Sequence, residues 1–266
     1  MDKRLSNKVA IVTGAGSSDR GDGVGSAISI TFAKHGCKVL LVDKNETYAQ
    51  NTASAIRDLG GESVICNSDV TKISDAEKMV DLAISSFGRL DILVNNVGIL
   101  GVGDVTNVEE ENWDNVLDTN LKSMMLTSKY AIPKMLLTGG GSIINMSSCS
   151  GLRGSGQFDS VPYSTSKGAI NTLSQTMAVQ HGRDNIRVNS IAPGLIYTPM
   201  VSEKMTPKQR DLRVQAAPLG TEGTPWDIAL AALFLASEES RWVSGVVLPV
   251  DAGLIVTTPL SGLHYN

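Results

Sequence analysis

Seven short, mostly apolar runs recur along the chain, each separated from the next by a longer segment of helical period. They are KVAIV (8–12), KVLLV (38–42), SVIC (63–66), DILV (91–94), SIINM (142–146), IRVNSI (186–191) and GVVLPV (245–250). A strand with one wet face alternates apolar and polar residues, whereas a parallel strand covered by helices on both faces is apolar throughout. The intervening segments carry helix-start signals. Ser74 with Glu77 and Thr106 with Glu109 read as capping boxes, and Thr224 followed by Pro225 opens WDIALAALFLAS. Met79, Val80, Ala83 and Phe87 then recur at helical spacing. Repeated strand–helix–strand units require right-handed crossovers, so the expected fold class is α/β, a doubly wound parallel sheet of seven strands flanked by helices.

No linker, composition shift or internal repeat divides the 266 residues, and the expectation is one domain spanning 1–266. A net charge of −4 gives no footprint for nucleic acid or an anionic membrane. No stretch is long and apolar enough to span a bilayer, and the first apolar run is too short for a signal peptide. Cys37, Cys66 and Cys149 are odd in number and widely spaced, against a disulfide framework. His35, His181 and His264 show no ligand spacing, so no metal site is expected. These features make a reduced cytoplasm the expected location.

The segment TGAGSSDRGDGVG (13–25) follows the first apolar run and precedes a helical pattern, SAISITFAKHG. Strand, glycine loop and helix N-terminus together bring backbone N–H groups to a pyrophosphate. Gly14 permits a tight turn, while Gly23 and Gly25, flanking Val24, permit close backbone approach. By itself a long flexible loop is an adequate reading. About twenty residues on, KVLLVD ends in Asp43, where a carboxylate can accept from adenosine ribose hydroxyls.

Tyr163 and Lys167 in YSTSK share one face if their segment is helical, although such a pair is also common by accident on helix surfaces. A phenol titrates near ~10, and using it as a base near neutrality needs roughly three units of depression, or about 4 kcal/mol. An ammonium ~4 Å away supplies about that at an effective dielectric of ~20. Upstream, SIINMSSCSG ends in hydroxyls at the strand edge where open α/β sheets bind ligands, so Ser148 is a candidate to hydrogen-bond a reacting oxygen.

With these motifs in order, the chain resembles the short-chain dehydrogenases/reductases of the single-domain, Rossmann-like kind, nearly end to end. TG…GVG resembles that family's cofactor loop. NNVG (95–98), with Val97 in place of the usual Ala, resembles its Asn-Asn-Ala-Gly motif and brings in Asn96 and Gly98. Asn120 in LDTNL, Ser148, Tyr163 and Lys167 match the catalytic tetrad. Asp69 and Val70 in SDV match the positions beside the adenine. Pro193, Gly194, Ile196 and Thr198 in NSIAPGLIYTP match the stretch approaching the nicotinamide, and VDAG (250–253) resembles the closing motif.

The resemblance implies an NAD-dependent oxidoreductase interconverting a secondary alcohol and a ketone. Tyr163 would exchange the proton, Lys167 lower the Tyr163 pKa and bind ribose hydroxyls, Ser148 orient the substrate oxygen and Asn120 hold a relay water. It also implies a homotetramer pairing through helices near 105–135 and 163–181, and a mobile substrate lid at about 198–220. Within the lid, Met200, Met205 and Leu212 suggest an apolar cover. Arg153 and Gln157 could read a polar group, and the apolar C-terminal LIVTTPLSGLHYN should pack against something. Other readings are NAD-assisted epimerisation or dehydration, and a non-catalytic NAD-binding regulator. The first occurs in longer relatives, whereas only about 70 residues follow PGLIYTP here. The second class tends to lose Tyr or Lys. The like charge of Asp43 favours NAD over NADP, against the nearby cations Arg20 and Lys44. Cys149, with no neighbouring cation in sequence, should be an inert thiol.

The chain departs from the family pattern in two places. Eight residues lie between Gly14 and Gly23, about five more than usual, leaving open which of Gly14, Gly16 and Gly21 takes each backbone role. The Ser148–Tyr163 gap is about two residues long in excess, which places a bulge at the substrate mouth.

Overall fold

The computed structural model describes residues 3–19, 21–154, 160–202 and 205–258. Arg20, Gln157, His264, the centre (155–159) of the expected bulge and the end of the C-terminal segment lie outside them. All seven apolar runs form strands: β1 (Val9–Thr13), β2 (Lys38–Asp43), β3 (Ser63–Asn67), β4 (Ile92–Asn95), β5 (Gly141–Met146), β6 (Ile186–Pro193) and β7 (Val247–Val250). They pair in parallel in the order β3-β2-β1-β4-β5-β6-β7.

The reason apolar residues stand at successive positions of the central strands is visible in the packing. Ala10, Val12, Val39, Leu41, Ile92 and Val94 face one core, together with Ile28 and Phe32 of α1 (Val24–Lys34), Ile56 of α2 (Glu46–Asp58) and Leu233 of α9 (Pro225–Ala236). Their alternates Ile11, Leu40, Val42 and Leu93 face the other. There they meet Met79 and Ala83 of α3 (Ile73–Phe87), Met135 of α5 (Ser123–Leu136) and Met177 of α6 (Val161–His181). The remaining helices are α4 (Glu110–Leu117), joined to α5 by a π-helical turn at Asp118–Lys122, then α7 (Pro199–Ser202) and α8 (Pro207–Ala216). Strand order reverses between β1 and β4, and a crevice outside their carboxyl ends is where such sheets bind ligands.

Two of the expected capping boxes do not form. Helix α3 begins at Ile73, placing Ser74 inside it, and the Asp75 carboxylate instead accepts from the Asp69 N–H at 2.8 Å. The Thr106 N–H and hydroxyl both donate to Asp104 Oδ1 at 2.7 Å, a local turn that competes with helix, and α4 starts only at Glu110. The Thr224 start holds: the Asp227 carboxylate accepts from the Thr224 N–H and hydroxyl at 2.7 Å.

Candidate active site

At the end of β1 the chain turns at Gly14 with φ +63°, and α1 begins directly opposite. A Cβ on Gly25 would lie 2.0 Å from the Gly14 carbonyl oxygen, so the first turn of α1 rests on backbone. Gly23 is its N-cap, with no side-chain cap and no acidic residue in the first turn, and a Cβ there would meet open space. A bare helix N-terminus beside a glycine turn suits a pyrophosphate. Val24 between them is half-buried.

The extra residues form a small turn of their own, in which the Gly21 N–H donates to the Ser18 carbonyl at 2.9 Å with Gly21 at φ +114°. The base of the turn is stitched to β2 and α2. The Gly16 N–H donates to Asp43 Oδ2 at 2.9 Å, the Ser17 N–H to the Tyr48 carbonyl at 3.0 Å, and Asn51 Nδ2 to the Ser17 carbonyl at 3.0 Å. The three glycines are thereby distinguished. Gly14 makes the entry turn, Gly16 approaches Asp43 and Tyr48 too closely for a Cβ, and Gly21 closes the inserted turn.

Asp43 stands at the end of β2 as expected, but it also has a structural duty, since its Oδ1 accepts from the Asn45 N–H at 2.9 Å. Asp69 caps its own turn, accepting from the Thr71 N–H and hydroxyl, and the Thr71 hydroxyl holds its carboxyl below the usual range. Val70 behind it is buried. Asn96 Nδ2 donates to the Thr13 and Gly14 carbonyls at 3.0 and 3.1 Å, and the Asn96 N–H donates to the Thr13 hydroxyl. Thr13 thus helps tie β1 to β4 across the switch point. Sequence reasoning passed it over, although a hydroxyl ending an otherwise apolar strand is the available signal.

The four tetrad candidates are brought to one place. A Cβ on Gly98 would lie 3.3 Å from Lys167 Nζ and 3.5 Å from Asn120 Oδ1. Tyr163 and Lys167 project from one face of α6, with Nζ 5.6 Å from the centre of the phenol ring. Ser148 follows β5 and starts a 3-10 turn, Cys149–Gly151, its Oγ accepting from the Ser150 N–H at 3.2 Å. Gly151 of that turn packs on the Lys167 backbone, and the Ser147 hydroxyl donates to the Lys167 carbonyl at 2.8 Å, fixing the serine turn against α6. Asn120, fully buried in the π turn, uses its side chain on structure. Its Oδ1 accepts from the Ile99 N–H at 2.7 Å, and its Nδ2 donates to the Ile99 carbonyl and Ser166 Oγ at 3.0 Å.

The electrostatics correct the sequence estimate. Burial pushes the Tyr163 phenol above its ordinary value, and a hydrogen bond with Ser148 only partly offsets this. Lys167 does not supply the expected depression in the protein alone. It donates to the Met146 carbonyl at 2.7 Å, and burial lowers its own pKa to about 8. The Met146 carbonyl is a partner with no signature in sequence.

Beyond β6, the Gly194 N–H donates to the Val250 carbonyl at 2.9 Å, and a Cβ on Gly194 would strike Asp251, so the Pro193–Gly194 and VDAG motifs are in contact. Ile196 is buried, and the Tyr197 N–H donates to the Gly223 carbonyl at 3.0 Å. Thr198 precedes α7, its carbonyl accepting from the Val201 and Ser202 N–H groups at 3.0 Å. Above lies α8. Arg210 Nε and Nη2 donate to the two Glu222 oxygens at 2.6 and 2.5 Å, and its guanidinium stands 3.9 Å from the centre of the Tyr197 ring. Met200 and Leu212 are more than half exposed and Met205 is half-buried. Arg153 is spent on the C-terminal segment, donating to the Thr257 carbonyl at 2.8 Å. Cys149 is a free, partly buried thiol pushed up by burial. Among the described residues no group of three or more His, Cys, Asp or Glu is placed to hold a metal, and no helix is long and apolar enough to cross a membrane.

Comparison with known proteins agrees with this architecture. Residues 19–255 match the family model described as Enoyl-(Acyl carrier protein) reductase. The chain is 35% identical to 3-oxoacyl-(acyl-carrier-protein) reductase of Thermotoga maritima, over 95% of this chain and all of that protein. It is 37% identical to the 7alpha-hydroxysteroid dehydrogenase of Escherichia coli, over 94% and 95%. Among solved structures, a Burkholderia xenovorans protein assigned to the short-chain dehydrogenases/reductases superposes with a TM-score of 0.91 at 39% identity, covering 96% of this chain and 99% of that one. A 7 alpha-hydroxysteroid dehydrogenase complexed with NADH and 7-oxo glycochenodeoxycholic acid superposes at 0.89 with 36% identity, covering 95% and 96%. The parallel sheet, the glycine loop at its switch point and these matches along nearly the whole chain establish that the protein belongs to the oxidoreductases of the short-chain dehydrogenase/reductase family.

Proposed function

We propose that the protein is an NAD-dependent oxidoreductase that interconverts a secondary alcohol and a ketone. The observation that carries this reading is the convergence of Tyr163, Lys167, Ser148 and Asn120 beside a glycine loop whose close approaches leave no room for a Cβ on Gly25. When bound, the nicotinamide coenzyme gives or takes the hydride. Gly14, Gly23, Val24 and Gly25 with the α1 N-terminus hold its pyrophosphate. Asp43 takes the adenosine ribose, Asp69 and Val70 flank the adenine, and Asn96 and Gly98 shape the floor. Pro193, Gly194, Ile196 and Thr198 receive the carboxamide.

Tyr163 holds the proton exchanged with the substrate oxygen, and its neutral phenol is ready as a general acid for ketone reduction. Ser148 orients the same oxygen. Lys167 binds ribose hydroxyls and stabilises the phenolate. Because the Asn120 side chain is engaged by Ile99, its part in a proton relay falls to its main chain in the π turn. A panel of secondary alcohols and ketones, followed by NADH absorbance, tests the reading. Coenzyme binding with no turnover of any member would favour a non-catalytic role. The proposal includes a cytoplasmic homotetramer, supported by exposed Met125, Leu137 and Val179 on α5 and α6 and their margins, and light scattering reads it directly.

A further inference from the structure

Ser147 has no part in the chemistry assigned above, yet it is a buried polar residue directly between Met146 and Ser148. The peptide unit that joins it to Met146 is held on both sides. Its N–H, that of Ser147, donates to the Ile191 carbonyl of β6 at 2.8 Å, so the sheet ladder runs one residue past the end of β5. Its carbonyl, that of Met146, accepts from Lys167 Nζ at 2.7 Å. The Ser147 hydroxyl then donates to the main-chain carbonyl of the same lysine at 2.8 Å. Both ends of Lys167 are thereby fastened to consecutive residues of one strand end, in a closed hydrogen-bonded ring.

A lysine side chain is long and rich in rotamers, and one attachment at its tip leaves the main-chain end free to shift with the helix. The second attachment, at the carbonyl, removes that freedom. The turn carrying Ser148 closes on the same carbonyl, since a Cβ on Gly151 would lie 2.6 Å from the Lys167 oxygen and 2.5 Å from its carbon. The Lys167 carbonyl is thus the point where the end of β5, the serine turn and α6 meet. A second hydrogen bond joins the same strand to the same helix away from this point. Asn145 Nδ2 donates to Ser174 Oγ at 2.9 Å, about two turns further along α6, and both residues are fully buried.

We propose that Ser147 is a positioning residue for Lys167, its hydroxyl holding the lysine main chain so that Nζ stands ready for the coenzyme ribose and for Tyr163. The two adjacent serines divide their duties. Ser148 acts on the substrate oxygen, and Ser147 acts through the lysine. Positioning of this kind is felt in the rate, because a reacting group displaced by a fraction of an ångström loses its alignment. The inference rests on the alcohol/ketone reading above.

The test compares wild type, Ser147→Ala and Ser174→Ala, each variant losing one buried hydroxyl that joins β5 to α6. Urea unfolding reads what each bond contributes to stability, and both variants should be destabilised. Fluorescence titration uses the reduced coenzyme, NADH or NADPH, that wild type binds more tightly. Ser147→Ala should weaken that binding about fivefold, and Ser174→Ala should leave it within about twofold. At saturating coenzyme, kcat for the best member of the alcohol and ketone panel should fall about tenfold in Ser147→Ala, with substrate KM within about twofold. Ser174→Ala should keep both constants. Equal changes in the two variants, or wild-type kcat and coenzyme affinity in Ser147→Ala, would reduce Ser147 to a structural tie and overturn the proposal. The titration separates this outcome from failure of the reaction assignment. If wild type turns over no member of the panel, binding weakened in Ser147→Ala alone still supports the positioning of Lys167, and unchanged binding overturns it.

Discussion

Lys167 Nζ donates to the Met146 carbonyl at 2.7 Å while standing 5.6 Å from the centre of the Tyr163 ring, so strand β5 rather than the phenol fixes where the ammonium sits. The two side chains are neighbours on α6, yet the ammonium is engaged by a strand carbonyl, and both groups pay for burial. Burial raises Tyr163 and lowers Lys167 to about 8.

Tyr163→Phe should reduce turnover by ~10²–10⁴-fold, the range for loss of a general acid–base group, with NADH affinity changed by less than about threefold. The variant removes one hydroxyl and keeps the ring. Steady-state rates with fluorescence titration of NADH check both halves. Residual activity above a few per cent of wild type contradicts the assignment of Tyr163.

Lys167→Met should abolish activity and stabilise the fold at neutral pH. The folded pKa of about 8 lies below the ordinary 10.5, so between these values the unfolded chain binds more protons and stability rises with pH. Below about pH 8 the full penalty is present, about 3 kcal/mol from the size of the shift. Leaving the Met146 carbonyl unpaired returns about 1 kcal/mol of that, for a net gain of about 2 kcal/mol. Urea unfolding from pH 7 to 10.5 reads it. The advantage over wild type should shrink across the upper part of this window, and a pH-independent difference would rule out the charge as its source.

Gly25→Ala and Gly23→Ala should separate cleanly although two residues apart. A methyl on Gly25 would sit 2.0 Å from the Gly14 carbonyl, and overpacking against backbone costs roughly 1–3 kcal/mol or more. A methyl on Gly23 meets nothing within 4 Å and its φ of −88° suits any residue. Thermal unfolding should show a lower Tm for Gly25→Ala only, and NADH binding should weaken at least tenfold in that variant.

Asp43→Ala should shift coenzyme preference from NAD towards NADP by roughly ten- to hundredfold, the effect of removing a like charge facing a 2′-phosphate. Because Asp43 also accepts from the Gly16 and Asn45 N–H groups, the variant should lose hydrogen-exchange protection at Gly16 and Asn45. A kcat/KM ratio that does not move, with protection lost, would transfer coenzyme choice from Asp43 to the inserted turn.

The sequence by itself determined the seven strands, their parallel character and the helix carrying Tyr163 and Lys167. Burial on both faces of a strand demands apolar residues at successive positions, and a four-residue spacing fixes one helix face, so both are local properties of the chain. It also contained the glycine loop and its insertion, though not the distinct duties of Gly14, Gly16 and Gly21. Those follow from contacts with Gly25, Asp43 and the Ser18 turn. Tertiary structure alone decided how the polar groups are spent. Asn96 closes on Thr13 and Gly14 from 82 residues away, and Lys167 reaches Met146 across 21. Asn120 turns to Ile99, and Asp75 and Asp104 take hydrogen bonds that displace two expected capping boxes. A hydrogen bond goes to whichever partner the fold brings within about 3 Å, and a pKa shifts with whatever excludes water from the group. Neither quantity is written in the spacing of residues along a helix or strand, because both depend on the elements packed against it.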